Sequence, residues 1–150
     1  MKMPVKKVVN SQLSMKYGMT VVLWDVIDIR HADYAKLCFL GVNSKWRQGV
    51  WVKSNASILV EGQTCSSVSL WFDTAPPCVV LTFEPGAEFL HLYNIWETPY
   101  AQGSQSRTSG MIIEESENLR TYHCTDFGED ADFTRLVFQL ELCPLRPIAG

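Results

Sequence analysis

The sequence has no apolar run long enough to cross a membrane. A spanning helix needs about 18–20 consecutive apolar residues, and no stretch of this chain approaches that length. Its first eighteen residues, MKMPVKKVVNSQLSMKYG, contain lysines but no uninterrupted apolar segment of the kind that a secretory signal requires. We therefore expect neither a membrane partner nor a signal peptide.

Cysteine occurs in an odd number and without the spacing of a metal or redox site. No two cysteines form a CxxC pair, and most lie in apolar runs, where a free thiol behaves as a small hydrophobe. This usage predicts a reducing compartment, the cytoplasm, without a disulfide framework. The five cysteines are Cys38, Cys65, Cys78, Cys124 and Cys143.

Basic residues are too few for a typical nucleic-acid-binding protein. The 13 Lys and Arg against 16 Asp and Glu give a formal net charge of −3, whereas nucleic acids and anionic membranes attract basic surfaces. The lysines that cluster near the N-terminus fit a solvated arm over residues 1–17. We expect no nucleic-acid partner.

The motifs of common catalytic and cofactor sites are also missing. The histidines occur neither as HxH nor as HExxH, so no zinc site is indicated. No GxSxG element marks a serine nucleophile, and no GxGxxG or Walker loop marks a nucleotide. We predict no metal and no cofactor. If the chain is an enzyme, the acid or base candidates are His91, His123 and Asp25.

These three candidates depend on the fold. His91 and His123 would line one pocket if their strands lie near each other. Asp25, between Trp24 and Val26, either faces solvent at a strand edge or faces inward, where burial would raise its pKa.

The strongest pattern in the sequence is apolar–polar alternation with a period of two. It is clearest over 67–73 and 134–142, and it is typical of half-buried antiparallel strands. The residues predicted to face inward are Val68, Leu70, Phe72, Leu136, Phe138, Leu140 and Leu142.

Further strands are predicted from β-branched and aromatic content. The segment 31–40 fits either a short helix or a strand. With 150 residues, 47% hydrophobic and 19% charged, we predict one all-β domain over 1–150: an antiparallel β-sandwich, a jelly roll or a flattened barrel of about nine strands, with at most one short helix. The additional predicted strands are 19–28, 49–53, 56–61, 78–84, 88–97, 110–115 and 119–125.

An acidic segment follows the predicted strand 119–125. Its glycine comes too early for an EF-hand calcium loop, and the segment lies between strands. It fits a solvated hairpin loop with Asx turns, a patch for a basic protein or, least well, an oxygen-ligand metal site. Its acids are Asp126, Glu129, Asp130 and Asp132, and Glu114, Glu115 and Glu117 precede them.

Tryptophan is frequent and falls on polar faces of predicted strands. Rings in such places meet an apolar ligand or a partner protein, unless a second sheet covers them. The turn-like segment 43–49 adds Trp46 and Arg47 as candidates for a partner surface, and the polar loop 99–109 is either a binding loop or a flexible one. The candidates for binding a small apolar or aromatic ligand are Trp71, His91, Tyr93, Asn94 and Trp96.

Three functions fit the sequence. The first is a binding domain without covalent catalysis, which presents a Trp- and Tyr-lined face or cavity to a small ligand or a protein. The second is a neutralising, immunity-type partner of a basic toxin or enzyme, acting through residues 126–132. The third is a small β-barrel or sandwich enzyme that positions an apolar substrate beside one His or Asp.

Overall fold

The computed structural model describes residues 3–128 and 130–144, which form eleven strands and one helix. The helix α1 spans Ser11–Tyr17. The strands are β1 Val8–Val9, β2 Val22–Asp28, β3 Ala32–Val42, β4 Arg47–Val60, β5 Gln63–Trp71, β6 Cys78–Phe83, β7 Phe89–Glu97, β8 Gln102–Ser104, β9 Gly110–Ser116, β10 Leu119–Thr125 and β11 Leu136–Pro144.

Eight of the strands close into an antiparallel barrel. The hydrogen-bonded order is β2-β9-β10-β11-β3-β6-β4-β7, and pairing of β7 with β2 closes the ring. The three other strands lie outside the ring: β1 pairs with β2, β8 with β7, and β5 with β4. The prediction of an all-β flattened barrel is confirmed.

Side chains fill the interior of the barrel. Alternate residues of each strand face inward, as the period of two requires. On β11, Leu136, Phe138 and Leu140 are fully buried, as predicted, and the ring of Tyr122 stacks on that of Phe138 with 4.5 Å between centroids. The interior is therefore a packed apolar core.

The connections at one end of the barrel are short. Two of them contain only two residues, and the tightest joins β4 to β5, with Glu61 and Gly62 both at positive φ, as a type I′ hairpin requires. We call this end the turn end. Its connections are 29–31, 61–62, 84–88 and 117–118.

The opposite end carries the longer connections, and we call it the loop end. Helix α1 lies at this end because it precedes the start of β2, and the ring of Tyr17 contacts that of Phe133 with 5.7 Å between centroids. Three of the four connections exceed the longest one at the turn end. The connections of the loop end are 43–46, 72–77, 98–109 and 126–135, and the third, which includes the loop predicted over 99–109, contains the short strand β8.

Several local predictions differ from the structure. The segment 31–40 lies in strand β3, while the helix lies within the predicted arm, where Asn10 caps it by accepting a hydrogen bond from Leu13 N. Phe72 was predicted to face the core, but β5 ends at Trp71 and Phe72 is exposed. The predicted strands 49–53 and 56–61 form one strand, β4, with a register shift between Lys53 and Ile58.

The expectation of no disulfide is wrong. Cys38 on β3 lies directly opposite Cys78 on β6, and the two form a disulfide. Antiparallel register, which the sequence does not reveal, brings them together across 40 residues. Cys65, Cys124 and Cys143 are free. Within the described residues, no helix has the length and apolarity to span a membrane.

Candidate functional site

Two loops that the sequence singled out separately meet at the loop end. Ser44 Oγ, before β4, donates a 2.6 Å hydrogen bond to Asp126 Oδ2, after β10. Gln48 Nε2 donates to the same oxygen at 2.9 Å. Asp126 is only 5% exposed, so its carboxylate acts as the internal junction between the two loops.

A column of aromatic rings lies beside this junction. The ring of Phe127 stacks with the rings of both Trp96 and Trp46, with centroid distances of 5.6 and 6.2 Å. Trp96 is buried under β8, where Gly103 leaves no room for a Cβ beside the indole. Phe127 is 40% exposed. The column therefore runs from the core to the surface.

Exposed apolar side chains surround the outer end of the column. Val42 and Phe72 line a cleft of about 250 Å³ together with Trp46. A second cleft of about 420 Å³ contains Trp46 and Phe127. We call Val42, Trp46, Phe72 and Phe127 the apolar platform. It is a raised, partly exposed surface flanked by open clefts, which suits contact with another macromolecule.

Charges of both signs border the apolar platform. The Lys45 ammonium lies 4.8 Å from the centre of the Trp46 ring. Arg47 Nε donates to Asp73 at 2.8 Å, its Nη1 lies 3.3 Å from Glu97 Oε1, and its guanidinium lies 4.4 Å from the Trp71 ring centre. Arg47 therefore contacts two carboxylates and one aromatic ring at the border of the platform.

The three described acids of the 126–132 segment, Asp126, Asp130 and Asp132, do not form one patch. Asp126 is buried, as described above. Asp132 accepts hydrogen bonds from the backbone N and Oγ1 of Thr134, which lower its pKa and shape the turn into β11. Asp130 is exposed, and Glu129 lies outside the described residues. Within those residues, no group of three or more His, Cys, Asp or Glu could hold a metal ion.

The predicted ligand-binding residues are divided between the two sides of the barrel wall. Trp71, His91 and Tyr93 face outward. Asn94 and Trp96 face the interior, and Asn94 Nδ2 donates to the carbonyl of Thr125 at 3.1 Å. No single site can therefore use all five residues.

Two of the outward residues, His91 and Tyr93, contribute to a compact cluster on β2, β4 and β7. The ring of Trp51 stacks on Tyr93 at 4.6 Å and meets Trp24 at 5.5 Å. Trp24 Nε1 donates to His91 Nδ1 at 3.0 Å, and burial lowers the pKa of His91. We call Trp24, Trp51, His91 and Tyr93 the aromatic wall. Its Trp24 and His91 rings bond to each other, and the Tyr93 hydroxyl bonds to Ser104 on β8, so it has the features of a structural cluster.

The acid and base candidates do not converge. His91 and His123 lie on β7 and β10, with two strands between them, roughly 14 Å at ordinary strand spacing. His123 pairs with Glu114 on the neighbouring strand. Asp25 faces inward, 5% exposed, so the inward alternative for this residue is the one observed.

Asp25 is part of a buried polar pair. Tyr122 donates a 2.6 Å hydrogen bond from its hydroxyl to Asp25 Oδ2. Burial raises the pKa of Asp25, although the bond from Tyr122 and the charge of Arg120 oppose that change. Arg120 Nε is buried without a hydrogen-bond partner among the described residues. This hydrogen bond joins β2 to β10 across β9, and among the described residues the backbone of β9 pairs with β2 only at Val22 and Met111.

Sequence reasoning missed Ser44, Gln48 and Phe127 in this site. Ser44 and Gln48 flank the predicted Trp46 and Arg47, and Phe127 lies next to Asp126. The turn-like segment 43–49 was a local signal that could have indicated Ser44 and Gln48. Their common partner, Asp126, lies about eighty residues away, and only the barrel topology reveals that contact.

Comparison with known proteins leaves the function to be argued from the site itself. No protein-family model matches the chain, and no curated protein or solved structure is significantly similar to it.

Proposed function

We propose that this barrel is a protein-binding domain without covalent catalysis and that its contact surface is the apolar platform at the loop end. The observation that carries the proposal is the convergence of the loops 43–46 and 126–135. Ser44 and Gln48 donate hydrogen bonds to the buried Asp126, and Trp46 and Phe127 lie next to this junction, beside open clefts.

The composition of the platform favours a protein over a small ligand. Three apolar side chains are 36–40% exposed, namely Val42, Phe72 and Phe127, and the barrel interior next to them is filled. Tryptophan and arginine beside such a surface are typical of interaction hot spots. The partner that fits has an apolar centre and charges of both signs around it, which complement Lys45, Arg47 and the exposed acids Asp73 and Asp130.

The observations favour this function over the two alternatives. A neutralising partner that acts through acidic residues 126–132 would need exposed carboxylates, yet Asp126 and Asp132 are used to build the loop. An enzyme would need its acid or base at a cleft, yet Asp25 is bonded to Tyr122 inside the barrel and His91 is bonded within the aromatic wall.

We also propose that the protein is cytoplasmic, which the free thiols of Cys65, Cys124 and Cys143 support. The Cys38–Cys78 disulfide is the opposing observation, because structural disulfides are typical of oxidising compartments. Alkylation of the unfolded protein, taken from its host without reductant, distinguishes the two. Labelling of Cys38 and Cys78 supports the cytoplasm, and labelling of only the other thiols contradicts it.

The test of the proposed function is to capture partners from the native host with immobilised wild type and with Trp46→Ala and Phe127→Ala variants. Loss of a buried hot-spot ring costs at least about 2 kcal/mol, or roughly 30-fold in affinity. We expect a protein that the wild type retains and both variants lose, and its affinity for each should then be measured by calorimetry.

A matched control is available at the turn end. Leu59 is 42% exposed on the outer wall, so Leu59→Ala removes an apolar side chain of comparable exposure away from the loop end. This variant should retain the partner. Equal retention by all three variants would show that the platform is not the contact surface.

A further inference from the structure

The longest strand outside the barrel ring has one edge that pairs with no other described strand. Strand β5 runs over Gln63–Trp71 and pairs with β4, and no described strand lies along its other side. The other two outer strands, β1 and β8, contain two and three residues. Short edges of that kind offer little to an incoming strand.

The backbone pattern shows which groups of β5 point outward. Phe72 N donates to Gln48 O, and successive residues of an antiparallel strand bond to opposite sides. Val68 and Leu70 therefore bond toward β4, while Ser67 and Ser69 direct their N–H and C=O groups away from it.

The sequence of this edge lacks two features that commonly protect an exposed strand, charged residues and proline. Its sequence, QTCSSVSLW, contains no charged residue and no proline, although monomeric β proteins commonly place lysine or proline at such edges. By contrast, the partly open side of β9 carries Glu114 and Glu115. The chain thus places charges on one open edge and none on the longer one.

We infer that β5 is a self-association edge, at which a second copy of this chain adds its own β5 in the antiparallel direction. The strand can pair with its own copy because an uncharged edge causes no repulsion between like charges. In a two-fold dimer, the same surface of each copy forms the interface. Pairing Ser67 with Ser69 of the second copy uses the outward groups of both residues. That register places Val68, which is half-buried, opposite Val68 of the second copy.

The test is sedimentation velocity over a wide range of protein concentration. Because a single strand edge is a small interface, we expect a monomer–dimer equilibrium in the micromolar range. The Ser69→Pro variant removes an outward N–H that takes no part in bonding to β4, and proline is tolerated at such edge positions. It should therefore be monomeric and retain the wild-type circular dichroism spectrum.

Two further variants fix the surface and the register. Ser69→Thr keeps the N–H and should dimerise like the wild type. Val68→Cys in a Cys65→Ser background should form an intermolecular disulfide on oxidation, because facing Cβ atoms in such a pair are close. A wild type that stays monomeric at every concentration would overturn the inference. So would a dimer that persists in a folded Ser69→Pro variant.

Discussion

The two ends of the barrel differ in what their connections do. At the turn end, the tightest connection is a two-residue turn whose φ angles match a hairpin type, and it serves only to reverse the chain. At the loop end, the residues 43–46 and 126–135 bond to each other through Asp126 and hold aromatic rings at the surface. A barrel that carries long loops at one end is a common arrangement for binding.

The acidic residues illustrate the same difference. In the sequence, the seven acids of residues 114–132 form one group. In the structure, β10 separates them: Glu117 lies in the turn between β9 and β10, whereas Asp126 and Asp130 lie beyond the other end of β10. The sequence therefore suggested one large acidic group, whereas the described acids are divided between the two ends of β10.

The largest effect expected at the loop end is that of Asp126→Ala. Removing the carboxylate leaves Ser44 Oγ without its acceptor and Gln48 Nε2 with only its 3.3 Å bond to the Trp46 carbonyl, and the loss of two such bonds costs about 2–3 kcal/mol together. Urea denaturation should show this loss, and partner binding should fall with it. The control Asp130→Ala changes an exposed acid of the same loop and should leave stability unchanged; equal losses would show that Asp126 is not the junction.

A smaller effect is expected at the turn end for Gly62→Ala. Gly62 has a φ of 79° with open space around it, so the cost is conformational and about 1 kcal/mol. The thermal midpoint should fall, while affinity for the partner captured through the loop end stays at the wild-type value. If affinity for the partner falls by more than the loss of stability can explain, the two ends are not independent.

The aromatic wall between the ends should make stability depend on pH. The pKa of folded His91 is lowered by burial, so the unfolded chain binds more protons between that value and the unfolded pKa of about 6.5. Stability is therefore fully present above the unfolded pKa and decreases as pH falls toward the folded one. Denaturation at pH 7.5 and 5.5 should show a larger decrease in the wild type than in His91→Gln; equal decreases would contradict this role.

The smallest effect is expected for the acids near the turn end. Glu114→Gln and Glu117→Gln should leave partner affinity within about twofold of the wild type, because exposed charges far from an interface contribute little to affinity. Calorimetry at low salt, where long-range attraction is strongest, is the sensitive measurement. A large drop at low salt would restore the interpretation of residues 114–132 as one acidic patch.

Local pattern predicted the strands well because side-chain alternation is a local property. Leu136, Phe138 and Leu140 are buried as the period of two required. The prediction for Phe72 was wrong because β5 ends at Trp71, and where a strand ends depends on the strand it pairs with. The face of each residue relative to the barrel was harder to assign, since both faces of β7 carry apolar side chains.

The candidate site was predictable only in parts. Trp46 and Arg47 stood out as a contact segment, and Asp126 and Asp130 as an acidic one, yet nothing local connects the two. Their meeting depends on β11 pairing with both β3 and β10. The Cys38–Cys78 pair escaped prediction for the same reason, because it arises from the register of β3 with β6.

The most direct test of the central claim is photo-cross-linking in the native host with a benzophenone amino acid placed at single positions. Phe127 and Val42 report on the apolar platform, and Leu59 and Val80 have comparable exposure on the outer wall. We predict one cross-linked partner protein from Phe127 and Val42 and none from Leu59 or Val80. Cross-links from Leu59 or Val80 alone would contradict the assignment of the loop end as the binding surface.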